Sequence, residues 1–392
     1  MEYLFAPMEG ITFSTYRILH SRLFPGADEY YTPFIAPDTQ GSFKPKFLRE
    51  LTRDGASGGQ GGSGAKVIPQ LLVNSPGPFV LTACKLRDLG FDEINLNAGC
   101  PSGTVFSKHK GSGMLSDMSS LEAFLDGTFA GAEKYGFKIS IKTRMGVHST
   151  DEFPGIAGLY SRYPVSKMII HARDRDGLYK SRPDIEGFAK ACRSFSCPVY
   201  YNGNIFSAAD TDKVLKALAD CGDLGTTAGC SGTDPAAEYG STVTCKDCGS
   251  AGRGAGCGSA APAAGYSGAV PGANCSGTNP GAGTGFAGFM VGRGAAANPA
   301  LIGELKGGPA LSPAELREFH DGLVDAYLSE GLSPVFTVER MKQLWFYMIH
   351  MFADCKREEK SILKSRDLFE YKTAASSLFA SGKFNPSGKF PG

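Results

Sequence analysis

The 392-residue chain has no surplus of either charge, with 40 Lys and Arg against 39 Asp and Glu. Bulk charge therefore announces no nucleic-acid partner, and any basic footprint must be local. No window approaches the roughly 18 uninterrupted apolar residues of a membrane span, so none is expected. The opening run Met1-Glu2-Tyr3-Leu4-Phe5-Ala6-Pro7 has no basic stretch and is too short for a signal peptide, so the chain is expected to stay in the cytoplasm. Its 11 cysteines are an odd number in a long chain, which argues against a secreted disulfide scaffold.

What the chain does have is a repeated layout. Eight short apolar runs read as strands: 3–6, 30–34, 67–71, 93–97, 138–143, 167–171, 198–202 and 288–292. Helical patterns fall between them at 76–90, 116–135 and 207–219. Polar residues gather where the strands end. Cys100 follows Asn95-Leu96-Asn97-Ala98-Gly99, and Lys142 and Arg144 close the fifth run. His171 closes the sixth, Asn202-Gly203 the seventh and Gly292-Arg293-Gly294 the eighth. Strand–helix alternation predicts a parallel sheet. Eight strands with chemistry at one end predict a (β/α)8 TIM barrel, an α/β fold.

Two stretches break the rhythm. One is a glycine-rich loop at 55–64. The other is 221–288, with 18 glycines and only four residues among Leu, Ile, Val and Phe. Such a composition cannot bury enough apolar surface to offset its ordering entropy, so 225–285 is expected to be a flexible insertion. It brings together Cys245 and Cys248 at metal-knuckle spacing, but no second close pair follows, so no metal site is expected. Beyond Pro309 only helices are predicted, at 314–329, 338–354 and 357–371, the first opened by the capping box Ser312-Pro313-Ala314-Glu315. The expected domains are thus a barrel over 1–308, carrying the insertion, and a helical bundle over 309–392.

In such barrels the loops after the seventh and eighth strands often cradle a phosphate. Glycine lets backbone N–H groups approach the oxygens, and Arg293 adds a bidentate contact. Lys142, deep at the mouth, is placed to stabilise an electron-rich reduced flavin ring, with Gln70 at the ring's edge. Cys100 sits in a Gly-Cys-Pro turn. With an ordinary pKa near 8.5 its thiol is mostly protonated at neutral pH, which suits an acid rather than a nucleophile.

These residues resemble the dihydrouridine synthases, flavin enzymes that reduce uridine in tRNA. The resemblance rests on Ala6-Pro7-Met8-Glu9-Gly10-Ile11-Thr12, Asn95-Leu96-Asn97-Ala98-Gly99-Cys100-Pro101 and Lys142-Thr143-Arg144-Met145-Gly146. It continues through His171-Ala172-Arg173, Asn202-Gly203-Asn204, Gly292-Arg293-Gly294 and Arg340-Met341-Lys342-Gln343. It implies an FMN-binding barrel followed by a helical tRNA-binding domain, with NADPH as electron donor (NADH being the other reductant open to it), acting as a monomer. By resemblance, Pro7, Met8 and Glu9 pack against the flavin, Gln70 and Lys142 contact its ring, and His171 lies near flavin and substrate. Asn202, Gly203, Asn204, Gly292 and Arg293 match the phosphate contacts. Cys100 matches the proton donor and Asn97 a group that positions the target base. Arg144 and Arg173 join Lys108, Lys110, Arg175, Lys180 and Arg182 as a cationic track for RNA. Asn204 departs from the pattern, which is often acidic there. Two rivals stand beside this reading. One is a flavin-barrel reductase of free pyrimidines or other small molecules; the other is a tRNA-binding protein on a barrel that has lost catalysis.

Overall fold

A computed structural model describes residues 1–53, 65–222, 285–386 and 388. The loop 55–64 and the Cys245/Cys248 pair lie outside the described residues, as does the insertion apart from Gly285. Nine parallel strands are present: β1 (Glu2–Phe5), β2 (Glu29–Tyr31), β3 (Lys66–Ile68), β4 (Gln70–Leu71), β5 (Glu93–Ala98), β6 (Lys138–Gly146), β7 (Met168–Asp174), β8 (Val199–Asn202) and β9 (Phe286–Val291). Their lateral order is β3-β2-β1-β9-β8-β7-β6-β5-β4.

The two ends of that order are one strand. Only Pro69, which has no N–H to give to a ladder, separates β3 from β4. Its carbonyl still accepts from the Asn95 N–H at 2.8 Å. β3 pairs with β2 and β4 with β5, so the sheet closes into an eight-stranded barrel, as expected. A bridge from Ile35 to Leu71 helps to seal the seam. The predicted second strand, 30–34, is cut short at Tyr31, so Pro33 and Phe34 are free to turn into the mouth.

Inside the barrel, Leu4, Tyr31, Ile68, Ile169, Tyr200 and Met290 pack against one another, one from each of six strands. The larger apolar cluster lies between the strands and the surrounding helices. At the N-terminal end of the barrel the floor is ionic. The Lys167 ammonium bonds Glu29 and lies 3.0 Å from Glu93, and Lys66 lies 3.1 Å from Glu93. All four residues sit at or just before strand starts, opposite the mouth, where barrels keep residues for stability rather than chemistry.

The helices follow the sequence signals closely in the barrel. Asp117 caps Met118–Tyr135 by accepting from the N–H groups of Ser119 and Ser120, and Gly136 ends it in a left-handed conformation. In the C-terminal segment Ser312 and Glu315 form the expected capping box on helix Pro313–Ser329. Phe319 of that helix packs edge-on against Tyr16 and His20 of helix Ser14–Leu23 and against Phe24, which follows it. Two expectations fail here. The single helix over 357–371 is two, Lys356–Lys364 and Leu368–Ser381. The Asp367 side chain accepts from the Glu370 N–H at 2.8 Å and starts a new helix, the local competition that disfavours Asp within one. The segment is also not purely helical, since Phe352–Ala353 pairs antiparallel with Lys383–Phe384.

Candidate active site

The C-terminal strand ends surround a cavity of about 540 Å³. Pro7, Met8 and Glu9 line it from the end of β1 and Gln70 from β4. Asn97 and Cys100 reach it from β5, Lys142 and Arg144 from β6, and His171 from β7. Asn202 and Gly203 enter from β8, and Gly292 and Arg293 from β9. Of the predicted site residues, Asn204 and Arg173 do not line the cavity. They stand behind it, tied to residues that do.

Every polar group at the floor is oriented by another. The Asn202 amide donates to the Met290 carbonyl at 2.8 Å, which aims its oxygen at the Lys142 ammonium, also 2.8 Å away. Asn97 donates to Gln70 at 2.8 Å, Gln70 to Asn95 at 2.7 Å, and Asn95 to the Ser140 hydroxyl at 3.0 Å. The Asn97 oxygen also accepts from the N–H groups of Gly99 and Cys100, at 3.1 and 2.9 Å. This asparagine thus shapes the turn that delivers the thiol, whatever it does toward a ligand.

The Cys100 turn is clamped from outside. Its carbonyl accepts from the Ser112 N–H at 3.1 Å and hydroxyl at 2.8 Å. Gly111 has a φ of +59°, and a side chain there would meet Cys100 Cβ at 2.9 Å. Burial pushes the thiol pKa up from its ordinary value. The group therefore holds its proton throughout the neutral range.

Around the thiol the site is cationic. Burial, with the Arg144 charge beside it, pulls the Lys142 pKa down to about 7. Burial and the neighbouring cations hold His171 well below its ordinary range, so its imidazole is neutral. An arginine can only donate, so the 3.1 Å contact from Arg173 fixes the His171 Nε2 as an acceptor and leaves the ring proton on Nδ1. Arg144 spends its guanidinium on the carbonyls of Gly99, Asp174 and Leu178, while its buried Nη2 has no hydrogen-bond partner among the described residues. Arg173 and Arg293 both donate to the Asn204 oxygen, at 3.1 and 2.7 Å. A neutral acceptor between two cations orients them without cancelling their charge. Lys142, Arg144 and Arg293 line the cavity and Arg173 stands just behind, so this side of the site suits an anion.

Sequence reading missed the aromatic part of the wall. Tyr179, in the loop after β7, has Arg293 stacked 4.4 Å and Arg144 5.5 Å from its ring centre. Phe346 and Tyr347 line the cavity from helix Pro334–Met348. That helix was legible, but which of its faces meets the barrel is a tertiary fact. Among the cations assigned to an outer track, Arg175 is stacked 4.2 Å from the Phe106 ring centre, and Lys108, Lys180 and Arg182 are exposed.

The sequence of this chain matches one family of known proteins. The dihydrouridine synthase family model matches residues 4–222. The tRNA-dihydrouridine(16) synthase of Ralstonia nicotianae is 27% identical over 222 residues, which cover 56% of this chain and 67% of that protein. The protein of the same name from Cupriavidus necator is 27% identical over 220 residues, with the same coverage. The tRNA-dihydrouridine synthase B of Pseudomonas aeruginosa is 26% identical over 215 residues, covering 54% of this chain and 61% of that one. The family match ends before Gly292-Arg293 and before the helical segment, so those parts of the site rest on geometry alone.

Proposed function

Because the chain belongs to the dihydrouridine synthase family, we propose that it reduces specific uridines of tRNA to dihydrouridine in the cytoplasm, with FMN held in the barrel mouth and NADPH as the reductant. The observation that carries the reading is the Cys100 thiol lining one cavity with Lys142, Arg144 and Arg293, its pKa raised by burial. That pairing suits a reaction which delivers a proton to one atom while stabilising negative charge nearby.

The residues present fit the flavin. Arg144 Nη2, which has no hydrogen-bond partner among the described residues, and the Lys142 and Arg293 cations beside it suit an anionic ligand. The two glycines at the phosphate end sit where a side chain would press on its neighbours. A Cβ at Gly203 would fall 2.3 Å from the Tyr201 hydroxyl, and one at Gly292 3.2 Å from Ala6 Cβ. Arg293, Asn202 and Gly203 would hold the phosphate, and Lys142 and Gln70 the ring. When bound, FMN supplies the hydride for C6 of the uracil ring. Cys100 holds the proton destined for C5, and Lys142 and Arg144 stabilise negative charge. Asn97 holds the Cys100 turn in place, Asn202 keeps Lys142 aimed inward, and Arg173 fixes the His171 tautomer.

Two outcomes test the cofactor assignment. Arg293→Ala should lose charge-assisted hydrogen bonds of roughly 1.5–3 kcal/mol, weakening FMN binding by about ten- to a hundredfold; unchanged affinity in a flavin titration would remove Arg293 from the site. The pH dependence follows from Lys142. In the flavin-free chain it loses its proton as pH rises through about 7. An anion that favours the charged form must then bring a proton in with it. FMN affinity should therefore fall as pH is raised above neutrality. In Lys142→Met that slope should flatten, as read by calorimetry in buffers of different ionisation enthalpy.

A further inference from the structure

Phe346 is 60% exposed, yet it lines the catalytic cavity, while its neighbour Trp345 is buried and donates to the Tyr371 hydroxyl at 2.7 Å. The helix that carries both is thus anchored on its inner side, and Phe346 is presented at the mouth on a rigid support. Tyr347 meets it edge-on at 5.1 Å and sets the tilt of its ring. Away from the mouth, Phe346 also borders a second small cleft with Trp345, Ile349, Glu359, Ile362 and Leu363.

We propose that Phe346 is a stacking platform for the nucleotide adjoining the target uridine, so that the helical segment takes part in substrate positioning at the catalytic mouth itself. The inference rests on the tRNA reading above. A base that reaches the cavity must leave its stack, which strips its neighbour of one stacking face. An exposed aromatic ring at the rim replaces that face, and because phenylalanine has no hydrogen-bonding group it does so for any base. The chemistry of the walls fits this division. The Cys100 side of the mouth offers cations to phosphates, and the helical side offers rings to bases.

The test uses the full chain with its flavin, in three variants: Phe346→Ala, Phe346→Leu and Phe346→Tyr. Each is reduced, then mixed with increasing concentrations of unmodified tRNA, and flavin reoxidation is followed in a single turnover. In the Ala and Leu variants the half-saturating tRNA concentration should rise about tenfold or more, with the maximal rate nearly unchanged. The Tyr variant should behave as the parent. Reduction by NADPH and flavin content should be equal in all. A Leu variant that matches the parent would overturn the proposal, since bulk and not a π-face would then suffice. So would a loss that appears in the NADPH step, which would make the ring part of the reductant's site. If tRNA fails to reoxidise the parent itself, it is the proposed function that falls, and the platform with it.

Discussion

Replacing Cys100 with alanine is expected to slow transfer of reducing equivalents to tRNA by about 10²–10⁴-fold, the usual worth of a positioned general acid. Flavin content and reduction by NADPH should be unchanged, because neither needs the thiol. The size of the effect follows from the geometry. The thiol is partly buried, its turn is held by Asn97 on one side and Ser112 on the other, and Gly111 packs against it where a side chain would collide with Cys100 Cβ. The pH profile supplies an independent check. Burial raises the thiol pKa above its ordinary value, so the transfer step in the parent should be flat through neutrality and decline only at alkaline pH. Loss of the alkaline decline in Cys100→Ala, together with the rate loss, identifies the group. A variant that reoxidises as fast as the parent and yields dihydrouridine would assign the acid to another residue.

The second large effect is on stability. Lys167→Met should destabilise the chain by about 3 kcal/mol, the scale for breaking a buried pair. Lys167 and Glu29 are mostly covered and the Glu93 side chain is 2% exposed, so removing the cation leaves two carboxylates to share Lys66 alone. Lys66→Met should cost less, since Lys66 is the more exposed of the two cations. The sign of the pH dependence is fixed by Glu93, whose carboxyl is held below its ordinary value of 4.5 by the two lysines against the cost of burial. A depressed folded pKa contributes stability above the unfolded value and loses it as pH falls through the folded one. The gap between parent and Lys167→Met should therefore be full at neutral pH and narrow below about pH 4. Urea unfolding at several pH values reads it directly. A constant gap across pH would mean that Lys167 acts by packing rather than charge.

The barrel was readable because its signals are local. Short apolar runs ending in polar residues mark strands, and Asp117, Gly136 and Ser312 mark helix ends by their own chemistry. The errors came where a non-local pairing or a single side chain decides. The Asp367 carboxylate breaks a helix whose apolar spacing runs straight through it. The strand pair Phe352–Ala353 with Lys383–Phe384 joins residues about thirty apart. For the site, the strand-end motifs supplied the residues that line the cavity, since barrel topology alone brings strand ends together. They did not supply the partner of each group. That Arg173 serves His171 and Asn204, and that Asn97 is committed to the Cys100 turn, depends on side-chain directions that motifs do not carry. Tyr179 and Phe346 carried no signal, since one lies in a loop and the other on a helix whose orientation is set by packing.

One measurement decides the substrate. Pre-reduced protein is mixed in parallel with unmodified tRNA and with free uracil, uridine and orotate, while flavin reoxidation is followed and the RNA is then digested and weighed nucleoside by nucleoside. The expected result is rapid reoxidation by tRNA alone, with one or a few uridines heavier by two hydrogens. Reoxidation by a free pyrimidine with the tRNA left unchanged would contradict the account and make the chain a small-molecule reductase on the same barrel.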